Sequence, residues 1–136
     1  MSPSPSPSGG PQAVPTYAPA TATPVKSVAF CTTGKCADTK ANTSCKLTSP
    51  CRVTVEVKFT TAQRSDVAFV VKFFDRCTGT TTDLPGAHFT PPGYTTVDIS
   101  ANVQFPSGVK SGAIVAVTTT PASAASAPIL LGAESC

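Results

Sequence analysis

The feature that most constrains the fold is a two-residue alternation of apolar and polar side chains. In residues 52–59, valines and a phenylalanine alternate with charged and hydroxyl side chains, and residues 96–105 repeat the pattern. Because successive side chains of a strand point to opposite faces, each stretch predicts a strand with one face in the core and one in water. Residues 67–74 are apolar on both faces apart from Lys72, which predicts a central strand covered on both sides.

The remaining apolar segments also predict strands rather than helices. Residues 25–31, 112–119 and 127–131 are short and rich in β-branched or small side chains. Segments with turn-forming residues separate the predicted strands, at residues 61–66, 84–86, 91–93 and 106–108 and at Pro121. Short strands with such turns, and no amphipathic helix between them, predict an all-β fold: an antiparallel β-sandwich of six or seven strands in two sheets.

Proline and charge are unevenly distributed along the chain, which locates a domain boundary. Seven of the 14 prolines lie in the first 24 residues, and the first charged side chain is Lys26. Since proline removes backbone donors and favours the extended polyproline II conformation, residues 1–24 are predicted to form a disordered Pro/Ser-rich linker. Residues 25–136 are the predicted folded domain. No apolar run approaches the roughly 18 residues of a membrane span, so none is predicted.

The order of the predicted strands resembles that of an immunoglobulin- or fibronectin-III-like sandwich. The resemblance covers residues 25–136 and rests on the order of a two-sided strand, a polar crossing, a long alternating strand, the Pro-Ser-Gly corner at residues 106–108 and the buried strand at residues 113–117. The chain departs from antibody domains, because it has no tryptophan and no cysteine in residues 112–119. More loosely, it resembles the exported immunoglobulin-like modules that bacterial receptors, kinases and lipoproteins carry beyond a Pro/Ser-rich stalk.

The six cysteines are the strongest chemical signal in the sequence. An even number in a small, charge-poor β domain predicts disulfide bonds, and therefore an extracytoplasmic protein, secreted or on the cell surface. The spacings between the first four do not match a zinc site with close-paired ligands, so neither a metal site nor a cofactor is predicted. The cysteines are Cys31, Cys36, Cys45, Cys51, Cys77 and Cys136.

The positions of the first four cysteines favour one pairing without excluding another. If the first predicted strand and the strand that begins near Cys51 are consecutive and antiparallel, Cys31 faces Cys51 across the base of their connection. Cys36 and Cys45 then form a second, nested bond inside that connection. The crossed alternative, with Cys31–Cys45 and Cys36–Cys51, stays open.

The last two cysteines remain as the third pair. Cys77 follows the predicted central strand and Cys136 follows the last predicted strand. In an immunoglobulin-like sheet these two strands are parallel and end at the same edge, so a Cys77–Cys136 bond is feasible.

Basic side chains are concentrated in the first part of the predicted domain. Residues 26–64 contain seven lysines and arginines against two acids, whereas residues 65–136 contain three basic and five acidic side chains. Lys35, Lys40 and Lys46 share the cysteine-bounded connection and are the candidate ligand-binding residues, for a wall polymer, a lipid headgroup or an acidic protein. The connection lacks interleaved aromatic side chains, so no nucleic acid is expected. The same lysines are also typical of a solvated edge strand and loop.

The sequence offers little for catalysis or sugar binding. His88 is the one histidine, and no nucleophile motif lies near it, so it is predicted to be an exposed loop side chain. Carbohydrate-binding surfaces usually present exposed aromatic rings, whereas this chain has no tryptophan and two tyrosines. The protein is therefore predicted not to be an enzyme.

These observations lead to one functional hypothesis and two alternatives. The leading hypothesis is a non-catalytic, monomeric extracytoplasmic module: the sensor or ligand-binding head of a membrane-anchored bacterial protein such as a receptor-type Ser/Thr kinase or a lipoprotein. The alternatives are a structural spacer or adhesion domain without a ligand pocket, and a small secreted enzyme or inhibitor. A cleft beside the cysteine-bounded connection favours the first, and His88 bonded to an acid inside a pocket favours the enzyme.

Overall fold

The residues that the structure describes form seven β-strands and no helix. A computed structural model describes residues 10–32, 36, 43 and 45–136. The all-β prediction is confirmed, and no helix of the described residues has the length and apolar character to cross a membrane. The strands are β1 (Val25–Phe30), β2 (Cys51–Gln63), β3 (Val67–Asp75), β4 (Thr80–Phe89), β5 (Tyr94–Val103), β6 (Ser111–Thr120) and β7 (Ile129–Gly132).

The strands form two antiparallel sheets that pack as a sandwich. One sheet has three strands in the order β1-β2-β5, and the other has four in the order β4-β3-β6-β7. The inward faces of both sheets share one apolar core. Because β2 and β3, β4 and β5, and β5 and β6 lie in different sheets, the chain crosses between the sheets three times.

The alternation in β2 places its valines in the core, as predicted. Val53, Val55 and Val57 are fully buried, and Val55 pairs directly with Ile99 of β5. Phe73 of β3 lies on the facing side of the core, 1% exposed. The two-residue period therefore decides which side chains leave water, and burial of these side chains is the main stabilising contribution to the fold.

Strand β4 is the strand that the sequence did not predict. The turn predicted at residues 84–86 is instead a β-bulge, because the register of β3 and β4 shifts between Phe69 and Val71. Pro85 and Gly86 thus lie opposite a single residue of β3. A Cβ atom on Gly86 would overlap the carbonyl oxygen of Phe69, so this position admits no side chain. Proline and glycine here mark a bulge in an edge strand, where both are tolerated.

The other predicted turns lie between strands, with one shortened. Residues 91–93, residues 106–108 and Pro121 all fall outside the strands. Strand β2 runs through half of the turn predicted at residues 61–66 and ends at Gln63. Its pairing with β5 is irregular there, so the added length does not extend the regular ladder.

Residues 10–20 lie across the outer face of the four-stranded sheet, and we call this segment the strap. The amide of Ala125 donates a hydrogen bond to the Pro19 carbonyl at 2.8 Å. Val115 of β6 lines a groove together with the strap, and on the same face of the sheet Phe74 and Val115 are 4% and 3% exposed. The core covers one face of β3 and β6, and the strap covers part of the other, which accounts for the apolar character of both faces.

The strap belongs to the segment that composition predicts as a linker. Residues 1–9 of that segment lie outside the described residues. Residues 10–24 contact the sandwich: Ala22 and Val25 exchange backbone hydrogen bonds, and the Thr60 amide donates to the Pro24 carbonyl at 2.9 Å. The proline content predicts an extended backbone for this segment, but it carries no information about the sheet against which the backbone lies.

Replacing Phe73 with alanine is expected to lower the free energy of unfolding by about 3–5 kcal/mol. The reason is that its buried ring packs against Phe105, with ring centroids 5.2 Å apart. Phe89→Ala is the matched control, because Phe89 is 42% exposed, and its expected cost is below about 1 kcal/mol. Urea denaturation with the disulfides intact measures both, and equal losses would contradict this placement of the core.

Candidate functional site

One end of the sandwich carries all three disulfide bonds, and we call it the disulfide pole. The β1–β2 connection, the β3–β4 turn and the β5–β6 connection meet there, because neighbouring strands are antiparallel. The β2–β3 and β4–β5 turns lie at the other end, the opposite pole. All six cysteines are disulfide-bonded, as predicted.

The predicted pairing of the first four cysteines is wrong. The bonds are Cys31–Cys36 and Cys45–Cys51, so both the nested set and the crossed alternative are excluded. The reason is the register of β1 on β2. The amide of Cys31 donates to the Thr54 carbonyl at 2.7 Å, so Cys31 lies opposite Thr54. Cys51 precedes Thr54 by three residues in β2, so the Cα atoms of these two residues are roughly 10 Å apart. A disulfide joins residues whose Cα atoms are about 4.4–6.8 Å apart, so Cys51 is out of reach of Cys31.

The third predicted pair, Cys77–Cys136, is confirmed. Strands β3 and β7 both pair antiparallel with β6, so they are parallel to each other and both end at the disulfide pole. The amides of Arg76 and Ala133 donate to adjacent carbonyls at the start of β6. These hydrogen bonds continue the sheet beyond both strands and bring the two cysteines together.

A cleft of about 300 Å³ lies beside the β1–β2 connection at the disulfide pole. Residues 47–50 form one wall and residues 104–109 of the β5–β6 connection form the other. Residues 47–50 lie inside the ring that the Cys45–Cys51 bond closes. One wall is therefore a covalently closed loop. Apolar and hydroxyl side chains both line the cleft, among them Leu47, Thr48, Ser49, Phe105, Ser107 and Val109.

The structure places one of the three predicted ligand-binding lysines. Lys35 and Lys40 lie outside the described residues. Lys46 is exposed, and it directly precedes Leu47 in the wall of the cleft. Whether any of the three binds a ligand stays a prediction.

Two exposed basic residues that the prediction omitted are close in sequence to the walls of the cleft. Arg52 and Lys110 are exposed, and each is within two residues of a residue that lines it. One acid, Glu134, follows Ala133, whose amide bonds the Lys110 carbonyl. The turn-rich segment 106–108 is visible in the sequence. Its position beside the β1–β2 connection depends on the fold, so the segment alone does not locate the cleft.

Two acidic side chains lie on the outer face of the three-stranded sheet. Glu56 and Asp98 are direct cross-strand neighbours, and Glu56 is 7% exposed, with its carboxylate 3.8 Å from Lys58 Nζ. The Asp98 carboxylate and the sulfurs of Cys31 and Cys36 lie within 4.8 Å of one another. Metal binding by cysteine requires thiolates. The disulfide therefore leaves this group with one donor, the carboxylate, instead of three.

His88 lies at the opposite pole, in strand β4 instead of the predicted loop. Its Nδ1 is 3.1 Å from the Asp66 carboxylate, which also accepts a hydrogen bond from the Thr90 hydroxyl at 3.0 Å. The hydrogen bond with His88 is the main reason why the pKa of Asp66 is lowered. The His88 side chain is 74% exposed, and it lines neither the cleft nor the groove under the strap. An acid–histidine pair is thus present, on the open surface of the protein.

Two aromatic side chains are exposed at the opposite pole. Phe89 ends β4 and Tyr94 begins β5, and they are 42% and 50% exposed. The Arg64 guanidinium donates to the Pro92 carbonyl at 2.8 Å, which connects the β2–β3 turn to the β4–β5 turn. Phe89 is exposed because it lies at the end of an edge strand.

Comparison with known proteins does not identify the chain. No protein-family model, no curated protein and no solved structure matches it. The residues of the cleft are therefore assigned to a candidate site from their geometry and chemistry.

Replacing both cysteines of a disulfide bond with serine is expected to lower the free energy of unfolding. The loss is expected to differ between the bonds. Loss of Cys77–Cys136 is expected to lower the free energy of unfolding by about 4 kcal/mol, and loss of Cys45–Cys51 by about 2 kcal/mol. The bonded residues are 59 and 6 positions apart, and a longer ring restricts the unfolded chain more. Urea denaturation of the two double variants measures both losses. A larger loss for the shorter ring would contradict this account.

Replacing His88 with alanine is expected to raise the pKa of Asp66 toward its ordinary value of 3.8. Thr90→Val is the control and is expected to raise it less, because the Thr90 hydrogen bond contributes less. A group with a lowered pKa stabilises the fold above its ordinary pKa, and this stability is lost as the pH falls through the lowered value. NMR titration of the Asp66 carboxyl measures the shift, and an unchanged pKa in His88→Ala would exclude the assigned cause.

Proposed function

We propose that this protein is a non-catalytic extracytoplasmic module that binds an anionic ligand in the cleft at its disulfide pole. The compartment is supported by the three disulfides, which fit an oxidising environment. In this proposal the module is the sensor or ligand-binding head of a membrane-anchored bacterial protein, such as a receptor-type Ser/Thr kinase or a lipoprotein. The Pro/Ser-rich sequence before the strap is then its stalk.

An immunoglobulin-like assignment of the fold is part of this proposal and is supported by the sheet order. Constant-type immunoglobulin domains place the first, second, fourth and fifth strands in one sheet and the third, sixth and seventh in the other. Six strands of this protein are distributed in the same way, whereas β4 differs, because it pairs with β3 in the second sheet. A shared strand order supports kinship of fold, whereas function has to be argued from the site.

The observation that carries the binding proposal is the construction of the cleft. Its wall at residues 47–50 lies in a ring closed by a bond between cysteines six residues apart, which limits the conformations of that wall. A surface that is ordered before its ligand arrives loses less conformational entropy on binding. Lys46 lies in the same ring, and Lys110 follows the opposite wall. Positive charge on residues that adjoin the walls of an ordered cleft favours an anionic ligand.

The placement of His88 supports the non-catalytic part of the proposal. A general base works best where neighbouring groups position it and where water is excluded from the reacting atoms. His88 is 74% exposed, and its Nδ1 hydrogen bond is to Asp66, which is 46% exposed. Asp66 lies in the β2–β3 turn, so this surface pair joins that turn to the edge strand β4.

A polymer of glycerol phosphate, as a wall-type polyanion, is the probe for this proposal. Lys46→Glu and Lys110→Glu are each expected to weaken its binding about tenfold at roughly 0.1 M salt, because each places a negative charge on a residue that adjoins a wall of the cleft. Isothermal titration calorimetry measures the affinity. Amide chemical shifts on titration are expected to change in the non-proline residues that line the cleft, at positions 47–49, 104–105 and 107–109.

Lys26→Glu is the matched control, because it changes the net charge equally and lies at the start of β1, far from the disulfide pole. Its expected effect is below about threefold, as for a general change of surface charge. Equal losses in all three variants would indicate attraction to overall charge and would contradict the cleft as the site. A wild-type protein that does not bind the polymer would contradict the anionic ligand and favour a structural spacer.

A further inference from the structure

The strap contacts the sheet with a three-residue period. Pro11, Val14 and Tyr17 are half-buried, whereas the residues between them are exposed. A period of three is that of the polyproline II helix, which has three residues per turn and no internal hydrogen bonds. The strap therefore presents one side of an extended, proline-containing segment to the outer face of the four-stranded sheet.

The sheet holds the first part of the strap through its backbone. The Gln12 amide donates to the Arg76 carbonyl at 2.8 Å, and the Arg76 guanidinium donates back to the Gln12 carbonyl at 2.8 Å. The Gln12 side chain also reaches the Cys77 carbonyl, at 3.4 Å. Backbone contacts of this kind recognise an extended chain with little dependence on its side chains.

The middle of the strap is held through a side chain. The Tyr17 hydroxyl is 2.7 Å from the Thr81 hydroxyl, and Lys72 Nζ lies 5.9 Å from the centre of the Tyr17 ring. Lys72 is itself fixed by Asp83, whose carboxylate is 2.8 Å from Nζ. Both contacts need a tyrosine: one uses its hydroxyl group and the other uses its aromatic ring. This position therefore adds sequence specificity to the backbone contacts.

The strap leaves part of its binding face open. A groove of about 350 Å³ lies between the strap and residues 125–128, with Val115 on the sheet side. The strap is therefore not packed into the protein like a core strand. It is held at separate points: Gln12, Tyr17 and the Pro19 carbonyl. Such contacts can be released without opening the apolar core between the sheets.

We propose that the outer face of the four-stranded sheet is a recognition surface for an extended, proline-containing peptide, and that it accepts the strap of a second copy of this protein once its own strap is released. Recognition of a polyproline II segment on a preformed surface is an established mode of peptide binding. The resident strap has the advantage of being tethered, with an effective concentration on the order of millimolar for a short flexible connection. The protein's own strap therefore occupies the surface unless it is released. This inference is independent of the cleft at the disulfide pole.

The full-length double variant Gln12→Pro/Tyr17→Ala tests this proposal, because proline lacks the amide that donates to the Arg76 carbonyl. A fluorescent peptide of residues 10–20 with the native sequence is the stand-in for the strap of a second copy. The variant is expected to bind the peptide at least about tenfold more tightly than the wild-type protein, because its own strap competes less. Ala13→Ser is the matched control: Ala13 is exposed and does not line the groove under the strap, and this variant is expected to behave like the wild type. A peptide with Tyr17→Ala is expected to bind about tenfold more weakly than the original, because it lacks the hydroxyl contact and the ring. Fluorescence anisotropy measures all of these.

Three results would overturn the proposal. One is a double variant that keeps its disulfides and its cooperative unfolding transition but does not bind the peptide. Another is equal binding to the wild type and the double variant. The third is a set of NMR shift changes that excludes Thr81 and Val115. If the double variant does not fold, the single variant Tyr17→Ala, which keeps the Gln12 contacts, is tested in the same way and is expected to show a smaller gain over the wild type.

Discussion

The two central strands of the four-stranded sheet, β3 and β6, carry mostly apolar side chains on both faces, and both faces are largely removed from water. The inner face of the sheet packs against the three-stranded sheet, and its outer face, with Phe74 and Val115 nearly buried, is in contact with the strap. Burial of apolar surface contributes roughly 25 cal/mol per Å², so a sheet of this composition gains stability from a third layer. A Pro-rich segment is suited to this position, because it needs no hydrogen-bonded neighbour strand along its length. The described part of the N-terminal segment therefore belongs to the folded unit, to which it is hydrogen-bonded at Gln12.

The parts of the fold that depend on local pattern could be predicted from the sequence. The alternation in residues 52–59 and 96–105 identified β2 and β5 and their inward faces, because side-chain direction in a strand is a local property. Two-sided apolarity identified β3 as a covered strand. Strand β4 was missed because Pro85 and Gly86 are typical of both turns and bulges, and the choice depends on the neighbouring strand.

The parts that depend on how distant segments meet could not be predicted. The pairing of Cys31 is decided by the register of β1 on β2, and the two strands are far apart in sequence. The cleft forms where two connections meet, and neither connection alone marks it as a site. The strap was missed for the same reason: proline content describes the backbone of residues 10–20 but not the surface that receives it. The spacing of Pro11, Val14 and Tyr17 is a signal that a search for a three-residue period would have found.

The bond between Cys77 and Cys136 has a mechanical consequence. The two residues are 59 positions apart in the chain, so the bond closes a covalent ring that contains β4, β5, β6 and β7. A force applied between the two ends of the chain passes from Cys136 directly to Cys77 and does not run through the polypeptide inside the ring. Stretching can therefore extend the segments before Cys77, including the strap, β1 and β2, while more than 50 residues stay outside the load path.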